Sequence, residues 1–450
     1  MNVLLISANT LTTPYPVYPL GLDYVAAALE PKHKVMIADM NCADEEALGR
    51  MIADFQPGVV GISLRNIDNT DTTDPHGFLT QYRRLIQFVR SRTSAPVILG
   101  GAGFSIFPEK IMALLDADYG ISGEGERLAA LLDALTANDS VKDLPGVITL
   151  NNAYSPPVPL SDPLQRHFDP AYPHLPFYLH HGGMLNIQTK RGCPFRCIYC
   201  TYPNIEGRQL RVIPPESAAL TARLLQDAGA KYFFITDSVF NADIPHSLAV
   251  AEQFRRKGVS IPWGAFLAPL QMPSTYLDKL VRAGLSHAEF GTESLSDRVL
   301  NTYAKPFRRQ TILQAHAMAL EAGLHVAHYF LLGGPGETPQ TLETTLCHID
   351  KLKKSVLFLF CGMRIYPHTR LFDRAVEEGR IRLGDELVEP VFYESTAIGR
   401  DEIIQRVRSR AAGRFNWVIG SGGDQTGALL QRMYKRGYSG PLWEMLIRGG

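Results

Sequence analysis

The sequence predicts an α/β protein in three parts: an N-terminal doubly wound, Rossmann-like parallel sheet, a central partial (β/α)6 TIM-type barrel, and a small, mainly helical C-terminal domain. Three observations carry this. Short apolar runs alternate with helix-period stretches five times over residues 1–135. The alternation resumes after residue 183 and gives six further strands. Between them, residues 136–183 are rich in Pro, Asn, Ser, Asp and His, as interdomain connectors are. The expected boundaries are a first domain over 1–140, a linker over 141–183, a barrel over 184–370 and a capping domain over 371–450.

In the first part, strands are expected at 3–7, 35–39, 59–63, 96–99 and 119–122, each followed by a helix, at 21–29, 45–55, 78–92, 108–115 and 126–135. Continuous rather than alternating apolar runs are buried on both faces, which a parallel sheet covered by helices provides. Ligands of such sheets bind beyond the carboxyl ends of the strands. Arg65 and Asn66 follow the third strand, Gly100, Gly101, Gly103, Phe104 and Ser105 the fourth, and Gly123, Glu124 and Gly125 the fifth. Glycine there permits close backbone approach to a ligand. A short strand-like stretch, 147–150, lies inside the linker.

In the second part, strands are expected at 184–188, 232–236, 263–267, 288–291, 328–332 and 357–365, separated by helices at 215–228, 245–257, 274–283, 309–322 and 340–353. A barrel places its site at the carboxyl ends of its strands. Asp237 and Ser238 close the second strand, Glu293 and Ser294 the fourth, and Gly333, Gly334 and Gly336 the fifth. After the first comes the loop Arg191 to Cys200, with Cys193, Cys197 and Cys200 at a C-x3-C-x2-C spacing. Three thiolates from one short loop can hold three corners of a cubic iron–sulfur cluster. Such clusters usually take four cysteines, so a motif that stops at three leaves one iron open to a non-protein ligand. Zinc would need a fourth ligand at a paired spacing, and no second Cys/His pair follows. Three ordinary core cysteines fit poorly, because the intervening residues include Pro194, Arg196 and Tyr199 in a Gly-led loop.

Composition sets the outer bounds. At 450 residues the chain is long for one domain, and 45% hydrophobic residues suffice for real cores. Lys+Arg and Asp+Glu are equal at 45 each, which favours a small-molecule substrate over nucleic acid or an anionic membrane. No run of eighteen apolar residues exists, and Met1 to Ser7 go straight into a strand pattern without a basic leader, so neither a membrane span nor export is expected. Cys42, Cys347 and Cys361 are too scattered for a disulfide framework and are expected as reduced core cysteines of a cytoplasmic protein.

The cysteine loop resembles the signature of the radical S-adenosylmethionine (SAM) superfamily, with Tyr199 at the aromatic position before the last cysteine. The resemblance implies a 4Fe-4S cluster on Cys193, Cys197 and Cys200, with SAM chelating the open iron and being cleaved there to a 5'-deoxyadenosyl radical. It further implies that Asp237, standing where the family usually carries Gly-Gly-Glu, and Ser238 meet the SAM ammonium. Glu293 and Ser294 would meet the ribose, and Gly333, Gly334 and Gly336 the adenine. Lys305, Arg308 or Arg309 would pair with the methionyl carboxylate.

Tyr18 to Leu22, Val60 to Ser63, Leu99 to Phe104 and Ser122 to Glu126 together resemble the cobalamin-binding domain that precedes the radical SAM domain in one subclass, and the likeness covers nearly all of residues 1–135. It implies that the nucleotide tail of cobalamin lies along residues 100–105, with the corrin ring toward the second domain, and that Arg65, Asn66, Gly123, Glu124 and Gly125 share the site. Relatives that replace the lower axial ligand carry D-x-H-x-x-G after the first strand, where this chain reads Ala8 to Pro14. A near miss, Asp74-Pro75-His76, follows the third strand, with Leu79 at the glycine position. Arg65 is the better candidate beneath the corrin: a guanidinium has no lone pair to give, so it would leave cobalt without a lower nitrogen ligand. The alternative is a surface arginine paired with Asp68 or Asp71.

The implied activity is a cobalamin-dependent radical SAM C-methyltransferase. It moves a SAM-derived methyl through cobalamin to an unactivated carbon of a small molecule of secondary-metabolite or lipid type, with electrons from a donor such as flavodoxin or ferredoxin. Related enzymes use the same parts for cyclisation, ring contraction or radical-independent methylation, and these form the first alternative. A non-catalytic corrinoid-binding or sensor protein would carry a degraded cluster motif, and a methylthiotransferase an extra N-terminal cysteine triad; neither feature is present. The tail carries Arg400, Arg406, Arg408, Arg410 and Arg414, most of which are expected to face water, while one or two at a pocket suit an anionic substrate.

Overall fold

Val-, Ile- and Leu-rich runs make the strands, and both sheets are parallel at their centres because helices cover both faces of the first and the outer face of the second. The computed structural model describes every residue except 74, 151–156, 162, 163, 421 and 450. It divides into two compact units. One comprises residues 1–69, 76–178 and 201–208, the other residues 70–75, 179–200 and 209–450.

In the first unit, β1 (Asn2–Ser7), β2 (Lys34–Asp39), β3 (Val59–Ser63), β4 (Val97–Gly100), β5 (Tyr119–Ile121) and β6 (Val147–Ile148) form one sheet in the order β2-β1-β3-β4-β5-β6. The first five run parallel, and β6 is antiparallel to β5. The interleaved helices are α1 (Leu20–Leu29), α2 (Glu45–Phe55), α3 (Leu79–Arg92), α4 (Ala102–Ile106), α5 (Pro108–Leu115) and α6 (Leu128–Ala137). One core joins Leu22, Val25 and Leu29 of α1 and Leu128, Leu131 and Leu132 of α6 to Val3, Leu5, Ile98 and Ile121 of the sheet. This is the doubly wound arrangement expected. The stretch 141–183 is not a free connector, however. β6 extends the sheet, and Arg166 forms a buried ion pair with Asp23 of α1 at 2.8 Å. Residues 151–156, part of the same expected connector, lie outside the described residues.

In the second unit, β7 (Met184–Ile187), β8 (Tyr232–Ile235), β9 (Trp263–Leu267), β10 (Leu285–Glu293), β11 (His325–Leu332), β12 (Ser355–Cys361) and β13 (Trp417–Ile419) pair parallel in the order β13-β12-β11-β10-β9-β8-β7. The helices α7 (Pro215–Asp227), α8 (Ile244–Arg256), α9 (Tyr276–Val281), α10 (Arg309–Glu321) and α11 (Pro339–Ile349) connect successive strands, as a barrel requires. The expected six strands are present. The seventh, β13, comes from the tail expected to cap the barrel and adds an edge strand to the barrel sheet. The strand expected at 357–365 ends at Cys361 because Gly362 turns the chain at φ +138°, and Met363–Arg364 then pairs antiparallel with Phe392–Tyr393. α12 (Arg400–Ala411) buries Ile403 and Val407 against Leu332, Leu359 and Trp417.

Alternate residues of the barrel strands face inward. Phe234, Phe266, Tyr329 and Phe358 make a belt of ring contacts there, with centroids 4.9, 6.2 and 4.8 Å apart in turn. Phe266 is 39% exposed, so this face opens onto space. Beneath the belt, the buried carboxylate of Glu289 accepts from Tyr329 Oη at 2.7 Å and from Trp443 Nε1 at 3.0 Å. Among the described residues no helix is long and apolar enough to cross a membrane.

Candidate functional site

The cysteine loop leaves the carboxyl end of β7 and is clamped before it begins. Asp237, just after β8, accepts from Thr189 N (2.7 Å), Thr189 Oγ1 (2.5 Å), Lys190 N (3.2 Å) and Lys190 Nζ (2.7 Å). Lys190 Nζ also donates to the carbonyl of Phe240, and a two-residue ladder joins Lys190 and Arg191 to Arg211 and Val212. Further on, Ile198 N donates to Tyr303 O and Leu371 N to Ile198 O. Cys193 is buried and Cys197 and Cys200 are half-buried, and none is in a disulfide. The expectation that Asp237 meets SAM needs correction: its carboxylate is already committed to four donors, so it positions the cysteine loop. Ser238 differs, because its hydroxyl is buried without a hydrogen-bond partner among the described residues, as at a polar site built for a ligand.

Glu293 ends β10 at a register shift, in the left-handed region at φ +63° that a non-glycine residue adopts only at a cost. Its Oε1 accepts from Tyr199 Oη at 2.8 Å and Lys305 Nζ at 3.1 Å, which leaves Oε2 without a partner among the described residues. Burial and the neighbouring Glu293 hold the Tyr199 hydroxyl well above its usual range, so it remains a donor. Burial alone would lower the Lys305 pKa, but Glu293 and the thiols of Cys197 and Cys200 more than offset it. Lys305 thus joins this cluster. Arg308 is exposed, and Arg309 donates its backbone N–H to Asp297 at 2.7 Å. Ser294 is fully buried and its hydroxyl is engaged with Thr345 Oγ1 at 2.9 Å, a contact that braces the strand end.

Gly333, Gly334 and Gly336 form the turn after β11. Gly333 and Gly336 have φ of +87° and +85°, and a Cβ on Gly334 would lie 2.5 Å from Tyr303 Oη. Tyr303, which the sequence reading did not single out, donates to Leu331 O, accepts from Gly334 N and holds Ile198 N through its carbonyl. It therefore ties the glycine turn to the cysteine loop. Its sequence signal is weak, a lone aromatic after a short helix. Three cysteines from one anchored loop, a carboxylate oxygen to spare and an unpartnered buried hydroxyl, all at the carboxyl ends of parallel strands, fit a 4Fe-4S cluster with SAM.

In the first unit, the loop after β3 packs on the start of α4. A Cβ on Gly101 (φ +96°) would come 2.7 Å from Leu64 O, and one on Gly103 2.8 Å from the Asn66 carbonyl carbon. Phe104 is fully buried over Gly120. Ser105 Oγ donates to Gly101 O and accepts from Gly123 N, and a Cβ on Gly125 would meet Val25. Glu124 is buried and accepts from Leu160 N at 2.6 Å. These residues build the rim of the sheet, while Arg65 occupies it. Its side chain is reached by solvent, yet protein crowds it closely enough to lower the guanidinium pKa, with Tyr15, Tyr82, Tyr178 and Tyr202 around it. It lies in a recess, as a residue lining a ligand cradle does, and Tyr82 Oη fixes the loop by donating to Asn66 O at 2.7 Å. The rim, with its recessed cation, fits the corrinoid expected there. His76 is an exposed loop residue with its ring 5.3 Å from Phe78, and Asp74 of the same near-miss motif lies outside the described residues.

Comparison with known proteins agrees with this division. The B12 binding domain family model matches residues 6–132, and the radical SAM superfamily model residues 187–347. An uncharacterised methyltransferase of Pyrococcus horikoshii is 27% identical over 80% of this chain and 78% of its own. The tryptophan 2-C-methyltransferase of Streptomyces laurentii is 24% identical over 84% and 75%. Among solved structures, the radical SAM methyltransferase TsrM of Kitasatospora setae, with tryptophan and a SAM analogue bound, superposes with a TM-score of 0.86 at 21% identity, covering 99% of this chain and 98% of its own.

Proposed function

Because the chain belongs to the radical SAM superfamily and carries an N-terminal B12-binding domain, we propose that it is a cobalamin-dependent C-methyltransferase that places a SAM-derived methyl group on an unactivated carbon of a small molecule. The observation that carries the reading is the three-cysteine loop fixed at the carboxyl ends of the barrel strands beside Glu293, whose second oxygen is uncommitted. The two methyltransferase relatives support methyl transfer as the outcome.

Bound here, the cluster and SAM supply reductive sulfonium cleavage, and cobalamin supplies a carrier for the methyl group. The chain's own residues do the rest. Cys193, Cys197 and Cys200 hold three irons. Glu293 Oε2 accepts from ribose hydroxyls, with Tyr199 and Lys305 fixing its rotamer. Ser238 Oγ serves a polar group of SAM, and the turn of Gly333, Gly334 and Gly336 admits the adenine. Arg65, with Asn66, Gly100, Gly101, Gly103, Phe104, Ser105, Gly123, Glu124 and Gly125 shaping the rim about it, receives the corrinoid. A low-potential one-electron protein such as flavodoxin or ferredoxin serves as reductant. A reducing, cytoplasmic compartment suits reduced cysteines and an oxygen-labile cluster.

The test is anaerobic incubation of the reconstituted protein with SAM, cobalamin and a reductant, followed by mass spectrometry. Formation of S-adenosylhomocysteine, methylcobalamin and 5'-deoxyadenosine is expected, and alanine at any of the three cysteines should abolish the last. S-adenosylhomocysteine without 5'-deoxyadenosine would shift the reading to radical-independent methylation, and no SAM-derived product at all would overturn it.

A further inference from the structure

α12 carries more basic side chains than a solvated helix needs, and they are not equivalent. Arg406 pairs with Glu402 at 2.6 Å, and Arg410 with Asp350 at 2.7 Å. Arg414, beyond the helix, takes the other oxygen of Asp350 at 2.6 Å. Arg400 reaches only to 3.8 Å from Glu394, beyond hydrogen-bond range. Arg408 has neither a hydrogen bond nor an ion pair among the described residues. Arg400, whose ion pair with Glu394 is long, and Arg408 line the same cavity, of about 490 Å³, within the usual range for small-molecule sites.

The cavity is built rather than incidental. Its helical wall is one face of α12, with Arg400, Ile404, Gln405 and Arg408 at helical spacing, while Ile403 and Val407 turn away into the core. The facing wall is Thr72 and Thr73. Thr72 is pinned by its hydroxyl to Cys361 O at 2.5 Å, and a Cβ on Gly362 would lie 2.3 Å from its methyl carbon, so Thr72 requires glycine there. Thr73 is tied through both its N–H and its hydroxyl to Asp71. Cys361 ends β12, so the cavity stands at the carboxyl end of the barrel strands, the end that carries the cysteine loop and Glu293.

We propose that this cavity holds the anionic group, a carboxylate or a phosphate, of the enzyme's substrate, with Arg408 and Arg400 as its donors. The assignment rests on the methyltransferase reading above. An apolar ligand would strip water from Arg408 without giving it a partner, which is costly, whereas an anion completes charge-assisted hydrogen bonds. Asp401, also on the lining, and Glu394, 3.8 Å from Arg400, offset part of the charge of the two guanidiniums, which suits one small anionic group better than a polyanion.

Titration calorimetry of the reconstituted holoprotein with inorganic phosphate and with acetate, at constant ionic strength, tests this. One anion per chain is expected, bound about tenfold more weakly by Arg408→Gln and by Arg400→Gln. Arg406→Gln, whose side chain is already paired with Glu402, should bind as the parent does. Equal binding by parent and Arg408→Gln would overturn the proposal. Anion binding to cobalamin-free protein that disappears on cobalamin loading would overturn it too, since the site would then serve the cofactor's own phosphate. SAM products are measured in the same samples. Products with no Arg408-dependent anion binding sink this proposal alone, whereas Arg408-dependent binding with no products sinks the methyltransferase reading and leaves the anion site standing.

Discussion

Lys190 Nζ lies 2.7 Å from Asp237 Oδ2, and the two side chains are 1% and 0% exposed. A pair so far from water is weak support for stability as a pair, yet breaking one half leaves an uncompensated buried charge, at a cost of about 3–5 kcal/mol. Asp237→Asn should therefore lower the unfolding free energy read from urea titration by that order, and iron content per chain should fall with it, because Thr189 and Lys190 start the cysteine loop. The double change Lys190→Met with Asp237→Asn removes the unpaired charge while keeping an amide oxygen for Thr189 N and Lys190 N, and should recover part of the stability. A single variant as stable as the parent would contradict the buried-charge account, and unchanged iron content in an Asp237→Leu variant would contradict the positioning role.

Gly334 and Tyr303 form a second joint. A methyl group on residue 334 would come 2.5 Å from Tyr303 Oη and 2.6 Å from Met363 Cε. Gly334→Ala should cost about 1–3 kcal/mol by overpacking and, because Tyr303 also holds Ile198, should broaden the electron paramagnetic resonance signal of the reduced cluster. Adding Tyr303→Phe removes the nearest of those atoms and should restore part of the loss, as seen by thermal unfolding. If the double variant is less stable than the sum of the singles, the clash is not the cause.

The strands and the cysteine loop were legible because they rest on local patterns, continuous apolar runs and a fixed cysteine spacing. What escaped depends on contacts distant in sequence. Trp417–Ile419 is only three residues long and lies in a tail expected to be mainly helical, yet it pairs with β12. Asp237 resembles a ligand contact until its partners, forty-seven and forty-eight residues earlier, are seen to claim it. Of the tail arginines only charge was legible; which ones have carboxylates beside them is fixed by Asp350 and Glu402 in three dimensions. The glycines of residues 100–125 were legible as a cluster, but their reason is largely internal, since the loop after β3 presses on α4 where a Cβ would stand.

Asp23 makes acidification informative. Burial pushes its carboxyl up to about 6, against the opposing pull of Arg166 and the Tyr18 hydroxyl. The folded value thus exceeds the ordinary one of 3.8, so between those limits the folded state binds more protons than the unfolded. Stability from this group is gained as pH falls from about 6 toward 4 and lost as pH rises, by on the order of 2–3 kcal/mol over the window. Asp23→Asn cannot titrate, so the parent-minus-variant difference in unfolding free energy should grow in the parent's favour from pH 6 to pH 4. A difference independent of pH would show that Asp23 is ionised throughout.

On the proposed function, Arg65 would set the state of the corrinoid. Its guanidinium stands at the carboxyl end of β3, reached by solvent, and offers no lone pair. Beneath a corrin it would fill the lower face without coordinating, and cobalt would stay without a nitrogen ligand there. The electron paramagnetic resonance spectrum of the cob(II)alamin-loaded protein should then lack nitrogen superhyperfine splitting. Arg65→His supplies an imidazole at the same place and should introduce that splitting while slowing methyl transfer from SAM, because a lower ligand disfavours the low-coordinate reduced cobalt. The substitution is at a solvent-reached side chain, so folding should survive it, which far-ultraviolet circular dichroism checks. Nitrogen splitting already present in the parent would place another ligand under the cobalt and remove Arg65 from the role.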